Sequence, residues 1–429
     1  MSRSARARGG GIPARLRGLI CGIVLRFDAT VQQAKQATVE FALRWQSAVA
    51  SHNERLYYER VNFWRDFFPG TLGEQLAALP AGGVAGQSFA PGELLPAYDP
   101  AGVHYLRPEQ IHIKMRSGMA ITPRAGRFYP RGMFSGLPDV FSGDGRPLRY
   151  LGAAGGSARV DLNHPLAAHT LDIEGCIVQT LGVSSERGGR SHDVGDELTR
   201  NGPGMQAPHP AVPTDFSSDD AFARLDERED KLFYYQPRLV QHLDAQARAQ
   251  ITGLHARFLK PGMRVLDLMS SWVSHLPEQF DLEVTGLGLN AEELKQNPRL
   301  SERVVHDLNL KPELPFADAH FDAVLCTASI EYLTQPDAVF RAVRRVLKPG
   351  APFIVTFSER WFPPKAIQLW TLLHPFERLG LVLDYFCRSG RFAELGTETA
   401  RDWPRPPDDQ YAGQYVFADP LYAVWGRAR

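Results

Sequence analysis

Between Arg264 and Ser358 five short apolar runs follow one another: RVLDLM, EVTGLGL, VVHDL, FDAVLCT and PFIVTFS. Helix-forming text separates most of them, as in Pro336–Leu347 (PDAVFRAVRRVL). A strand that is apolar throughout, rather than alternating, has helices over both of its faces. The rhythm therefore predicts a doubly wound, mostly parallel α/β sheet. Such sheets bind ligands outside the carboxyl ends of their strands. The residues that end each run are accordingly the candidates for function.

The first run ends at Asp267 and passes through Met269, Ser270 and Ser271. A carboxylate here can accept hydrogen bonds from a cationic amino-acid ligand or from backbone N–H groups, and small residues after it let the backbone approach a ligand. The second ends at Asn290, whose amide can bond ribose hydroxyls. The third ends at Asp307, a carboxylate placed to accept from an exocyclic amine such as that of adenine. The fourth leads into Ser329, Ile330, Glu331 and Tyr332, and the fifth follows the helix-stop text Leu347-Lys348-Pro349-Gly350. Asp267 and Asp307 also have a plain reading as turn or helix caps. His275 is read as a structural, hydrogen-bonded histidine. The aromatic stretch Trp361, Phe362 and Trp370 fits either core packing or a lid.

Two segments, Leu314–Leu333 (LPFADAHFDAVLCTASIEYL) and Ala338–Phe357 (AVFRAVRRVLKPGAPFIVTF), resemble the fourth-strand and fifth-strand regions of class I S-adenosylmethionine-dependent methyltransferases of type 11. The resemblance covers about residues 216–429. It implies a Rossmann-like fold and S-adenosylmethionine as cofactor. It also implies that Asp267, Ser270 and Ser271 lie at the methionine part, Asn290 at the ribose, and Asp307 and Leu308 at the adenine. Ser329, Glu331 and Tyr332 fall on the loop that faces cofactor and acceptor, and Glu331 and Tyr332 are the catalytic candidates. Two positions depart from the family pattern. The usually glycine-rich first motif reads Asp-Leu-Met-Ser-Ser-Trp-Val-Ser-His-Leu (Asp267–Leu276), and the ribose-binding carboxylate after the second strand falls at Gly288.

The first half of the chain has a different texture. From Leu79 to about Gly182, Gly and Pro recur every few residues between short β-type runs: HIKM (His112–Met115), ARVDL (Ala158–Leu162) and LDIEGCIVQTL (Leu171–Leu181). This predicts a small β-rich unit. Its Val160–Leu171 (VDLNHPLAAHTL) resembles an element of SlyD-type FKBP peptidyl-prolyl isomerases, and Phe128–Arg149 resembles their insert-in-flap segment. That likeness implies an α+β fold that takes proline-containing client chains, with Phe89, Tyr98 and Asp99 as isomerase-pocket candidates. His164 is expected to bond the turn rather than a metal.

The expected division is a disordered tail over 1–30, the SlyD-like unit over 31–182, a linker over 183–213 whose Ser, Gly and Pro text lacks an apolar pattern, and the methyltransferase unit over 214–429. Lys+Arg (48) cancels Asp+Glu (48), which argues against a nucleic-acid partner. The four cysteines form no CxxC pair, so neither a metal site nor a disulfide framework is expected, and the chain reads as cytoplasmic. No apolar run reaches the roughly 18–20 residues that cross a bilayer. The basic start (MSRSARARGG) has the charge order of a signal peptide, but Arg26 closes the following apolar stretch early. The function expected is methyl transfer to a small molecule or a protein. The alternative is a non-catalytic cofactor-binding or chaperone-type protein with degenerate sites.

Overall fold

The computed structural model describes residues 34–113, 121–184, 188–217 and 220–429. The expected tail over 1–30, and Lys114 and Met115 of the HIKM run, lie outside the described residues. The strands are β1 (Ala34–Gln46), β2 (Ser51–Asn62), β3 (Val84–Phe89), β4 (Val103–Leu106), β5 (Phe128–Pro130), β6 (Pro147–Ala154), β7 (Ser157–Asp161), β8 (Leu171–Ser184), β9 (Arg264–Leu268), β10 (Glu283–Gly288), β11 (Glu302–Val305), β12 (Ala323–Thr327), β13 (Pro352–Phe357), β14 (Phe392–Arg401) and β15 (Leu421–Ala428). The helices are α1 (Leu72–Ala77), α2 (Val194–Thr199), α3 (Asp230–Phe233), α4 (Ala245–Phe258), α5 (Ala291–Gln296), α6 (Pro336–Val346), α7 (Gln368–Leu372) and α8 (Pro375–Ser389).

The five apolar runs form β9 to β13 and pair in parallel in the order β11-β10-β9-β12-β13. Alternate side chains go to opposite faces. Leu266, Val324 and Phe353 pack with Val339, Phe340, Val343 and Val346 of α6 and with α8. Val265, Leu325 and Ile354 pack with Ala247, Ile251 and Leu254 of α4. Both faces are thus covered, which is why the text of these strands does not alternate. The order reverses between β9 and β12, so the carboxyl ends of these strands frame a crevice. Beyond β13 the sheet turns antiparallel through β15, which lies between β13 and β14.

The first half is β-rich as expected. The long hairpin β1–β2 pairs with β8, and β8 with β3, all antiparallel. A separate four-stranded sheet, β4-β7-β6-β5, is inserted between β3 and β8.

The two halves do not hang on a free tether. Ser51–Leu56 of β2 pair in parallel with Gly396–Arg401 of β14, joining both halves in one eleven-stranded sheet. The expected linker is packed as well. Within 183–213, α2 buries Val194 and Leu198, and Met205, Gln206 and Ala207 are buried after it. The Gln206 amide donates to Glu54 of β2 at 2.6 Å. This polar side chain bonds a buried partner rather than water, which composition cannot reveal. Arg127 and the Phe128 N–H donate to Glu377 of α8 and tie in the inserted sheet. Among the described residues no helix is long and apolar enough to cross a membrane.

Candidate functional site

A cleft opens at the carboxyl ends of β9, β10, β11 and β12. It is lined by Asp267, Ser270, Ser271, Asn290, Asp307, Leu308, Ser329 and Tyr332, so eight residues anticipated from the sequence meet in one place. The β9 turn shows how it is built. Ser270 N–H donates to the Leu287 carbonyl at 2.7 Å, folding the turn back onto β10. Met269 takes a left-handed backbone (φ 59°), as does Ala328 (φ 47°) after β12. Strain of about 1–3 kcal/mol per such residue persists where the surroundings over-determine it, commonly at ligand sites. A Cβ on Gly288 would collide with the Ser270 carbonyl oxygen. The β9 turn therefore occupies the space that a side chain at the end of β10 would need.

Asp267 is buried, and its Oδ2 accepts from the Ser270 and Ser274 hydroxyls, each at 2.6 Å. Burial raises its pKa and the two serine bonds pull it down in part. Its Oδ1 receives no bond from the described residues. Asp307 spends Oδ1 on the N–H groups of Asn309 (2.9 Å) and Leu310 (3.2 Å), the turn-capping role, and its Oδ2 receives none from the described residues. Ser329 donates to the Thr327 carbonyl at 3.0 Å.

Asn290 is corrected in role. Its Oδ1 caps α5 by accepting from the N–H groups of Glu292 and Glu293, and its Nδ2 donates to the carbonyls of Tyr234 and Tyr235. The side chain has no capacity left for a ribose. One turn into α5 stands Glu293, which sequence reasoning passed over. It accepts from the Ser271 hydroxyl (2.6 Å) and from Arg238 N–H (2.8 Å) and lines the cleft. The Asn-x-x-Glu spacing was its legible signal, since it marks a helix start.

Residues 234–243 run over the cleft as a strap. Asn290 and Glu293 hold it, and Trp272 Nε1 donates to the Val240 carbonyl at 3.2 Å. Trp272, in the first motif that departs from the family pattern, thus holds the strap together with Asn290. Arg238 lies over Phe233 (4.5 Å) and Phe362 (5.0 Å), and Phe362 packs on Tyr332. Asp230, at the root of the strap, is buried and bonds Arg224, Lys365 and Asn309. Of the aromatic stretch, Phe362 is therefore a cleft wall and Trp370 is core. Asn290→Ala removes both the strap bonds and the α5 cap. We expect a loss of about 1–2 kcal/mol in stability and faster hydrogen exchange over 234–243, read by mass spectrometry. Unchanged exchange in that segment would count against the strap.

Tyr332 is buried, and its hydroxyl accepts from Phe362 N–H at 2.9 Å. Glu331 does not line the cleft; it is 1% exposed beneath the loop. Its place in the short helical turn Ile330–Tyr332 points it inward, so contact with an acceptor is corrected to burial. Burial raises its pKa to about 7 against the opposing pull of Arg378 and Tyr332. A carboxyl raised in the folded state holds its proton more tightly there. Its contribution is fully present below the unfolded value of 4.5 and is lost as pH rises through about 7. The loss is about 3 kcal/mol. Glu331→Gln should therefore flatten the fall in stability between pH 5 and 8, measured by denaturant unfolding. Parallel pH profiles for the two proteins would refute this. His275 lines the cleft with its pKa lowered by burial to about 4, so it is neutral at pH 7.

The isomerase candidates sit in different surroundings. Phe89 is buried in the core of the β1–β2–β8 sheet, Tyr98 is 44% exposed, and Asp99 caps the turn Pro100–Gly102 through Ala101 N–H. Asp99 Oδ1 is engaged by its own turn, and Asn163 bonds the Asp99 backbone. His164 accepts from Leu166 N–H, the turn role expected of it.

Residues 269–355 match the family described as a methyltransferase domain. The ubiquinone/menaquinone biosynthesis C-methyltransferase UbiE of Laribacter hongkongensis is 28% identical over 156 residues, which cover 34% of this chain and 63% of that protein. Norajmaline N-methyltransferase of Rauvolfia serpentina is 30% identical over 102 residues, 22% of this chain and 35% of that protein. The chain thus spans less than two thirds of either relative. Among solved structures, a SAM-dependent methyltransferase from Archaeoglobus fulgidus aligns 94% of its length with 42% of this chain, at 14% identity and a TM-score of 0.30.

Proposed function

We propose that this chain, whose residues 269–355 match a methyltransferase domain, transfers the methyl group of S-adenosylmethionine to an acceptor. S-adenosylmethionine is the cofactor of that domain class. The observation that carries the reading is the convergence of Asp267, Glu293, Asp307 and Ser329 in one cleft at the carboxyl ends of β9 to β12.

The donor set fits the cofactor. The open oxygen of Asp307 beside the buried, apolar Leu308 suits an adenine amine and ring face. Glu293, fixed by Ser271 and Arg238, supplies the carboxylate for ribose hydroxyls that Gly288 cannot. The unbonded Oδ1 of the buried Asp267 suits an ammonium, whose charge would offset the cost of burying the carboxylate. When bound, S-adenosylmethionine supplies an electrophilic methyl carbon on a sulfonium. The chain's part is to position and to exclude water: the strap and Phe362 close over the cleft, and Tyr332 fixes the loop after β12. The two relatives are by name a C- and an N-methyltransferase, so the likeness extends to the donor half and leaves the acceptor atom open. Calorimetry of the full chain with S-adenosylmethionine tests the reading. No binding at millimolar concentration would leave the non-catalytic alternative in its place.

For residues 31–182 we propose a SlyD-like fold, supported by the four-stranded sheet inserted between β3 and β8. Isomerase activity is not part of the proposal, because Phe89 belongs to the core and Asp99 caps its own turn.

A further inference from the structure

A second cavity opens on the same edge of the sheet, two strands along. Glu359 and Arg360 follow β13, Arg401 and Asp402 stand at and just beyond the end of β14, and Asp419 leads into β15. Three arginines line it. Arg405 is saturated by Asp244 (3.3 Å), Asp409 (3.0 Å) and Asp419 (2.8 Å). Arg360 bonds Asp419 at 3.1 Å and lies over Tyr411. Arg401 differs. Its Nε and Nη2 are shielded from solvent and have no hydrogen-bond partner among the described residues.

Nothing nearby takes those protons. Glu54, buried on the paired strand β2, has both oxygens engaged, one by Gln206 and one by Thr399. Asp402, whose pKa burial raises against the pull of Arg401, takes no hydrogen bond from these two nitrogens. The Arg401 guanidinium lies with its face over Phe376, at 5.0 Å. Shielded N–H groups on a fixed cation, left unpaired, carry a desolvation cost that an oxyanion would remove. Two more residues of the same wall, Asn201 (φ 55°) and Asp402 (φ 67°), are held in the left-handed region. Strain of that kind collects where a wall is shaped for a ligand.

We propose that this cavity binds a small molecule carrying a carboxylate, held by the Arg401 fork. A carboxylate is favoured over a phosphate because Glu359 and Asp402 also line the cavity and would repel a dianion. The planar guanidinium matches a planar carboxylate in two parallel bonds. The site is distinct from the cofactor cleft: the two share no lining residue. It stands or falls independently of the methyltransferase reading.

The test titrates the full chain with sodium acetate and with inorganic phosphate, at constant ionic strength, by saturation-transfer NMR or calorimetry. Wild type should bind acetate saturably, and more tightly than phosphate. Arg401→Gln should weaken acetate binding by at least about tenfold, while S-adenosylmethionine binding is unchanged. Arg401→Lys keeps the charge without the fork and should fall between them, which separates lost recognition from lost folding if the Gln variant is unstable. The proposal is overturned if acetate does not bind wild type, binds the Gln variant equally, or binds more weakly than phosphate.

Discussion

Asp267→Ala should reduce S-adenosylmethionine affinity of the full chain by roughly 10- to 150-fold, the equivalent of one charge-assisted hydrogen bond of about 1.5–3 kcal/mol. The carboxylate has two duties that the variant removes together. Its Oδ2 gathers the Ser270 and Ser274 hydroxyls and so shapes the turn after β9. Its Oδ1 remains for the cationic end of the cofactor. Asp267→Asn separates the two, since an amide can still accept from the serines but brings no charge. We expect the Asn variant to keep the wild-type melting temperature and lose most of the affinity. The pH dependence gives a second signature. Burial raises the Asp267 pKa, so wild-type affinity should fall as pH drops toward that value, and the fall should vanish in the Asn variant. Calorimetry across pH checks both. Equal affinities for wild type and Asn variant would remove Asp267 from the site.

Asp307→Ala should weaken binding by a similar order, but Glu293→Gln more than Asn290→Ala, reversing what the strand-end pattern suggests. The reversal shows what was legible in the sequence. Residues that directly end apolar runs were readable, because the parallel sheet fixes where its carboxyl ends lie. Asp267, Asp307 and Ser329 are of this kind. Glu293 is reached only by following α5 for one turn. The strap over 234–243 has no period at all, and it is held through its backbone carbonyls and one N–H, which no side-chain pattern reports. Glu331 illustrates the converse: its position in the chain was adjacent to the site, but a single helical turn swung it into the core. The β2–β14 ladder was illegible because strand pairing across more than 300 residues leaves no local mark.

Removal of everything before residue 214 should leave residues 214–429 unable to form a stable monomer. In the full chain, β14 is flanked by β15 on one side and β2 on the other. Truncation turns its six paired residues, Gly396–Arg401, into an open edge. Unpaired edges of this length promote aggregation unless charge or proline blunts them. The side chains lost are also committed ones. His52 bonds Thr397 at 2.8 Å, Asn53 and Arg55 bond the buried Glu398, and Tyr57 stacks on Trp403. Glu398 keeps Arg257 alone, at 2.8 Å. At about 0.5–1.5 kcal/mol per hydrogen bond, a ladder of this length and its side-chain bonds approach the 5–15 kcal/mol that holds a domain folded. The expected result is insoluble or oligomeric fragment on size-exclusion chromatography, with solubility recovered on co-expression with residues 31–213. A soluble, monomeric fragment that melts at the temperature of the full chain would show that the shared sheet is dispensable, and that the two halves are independent domains after all.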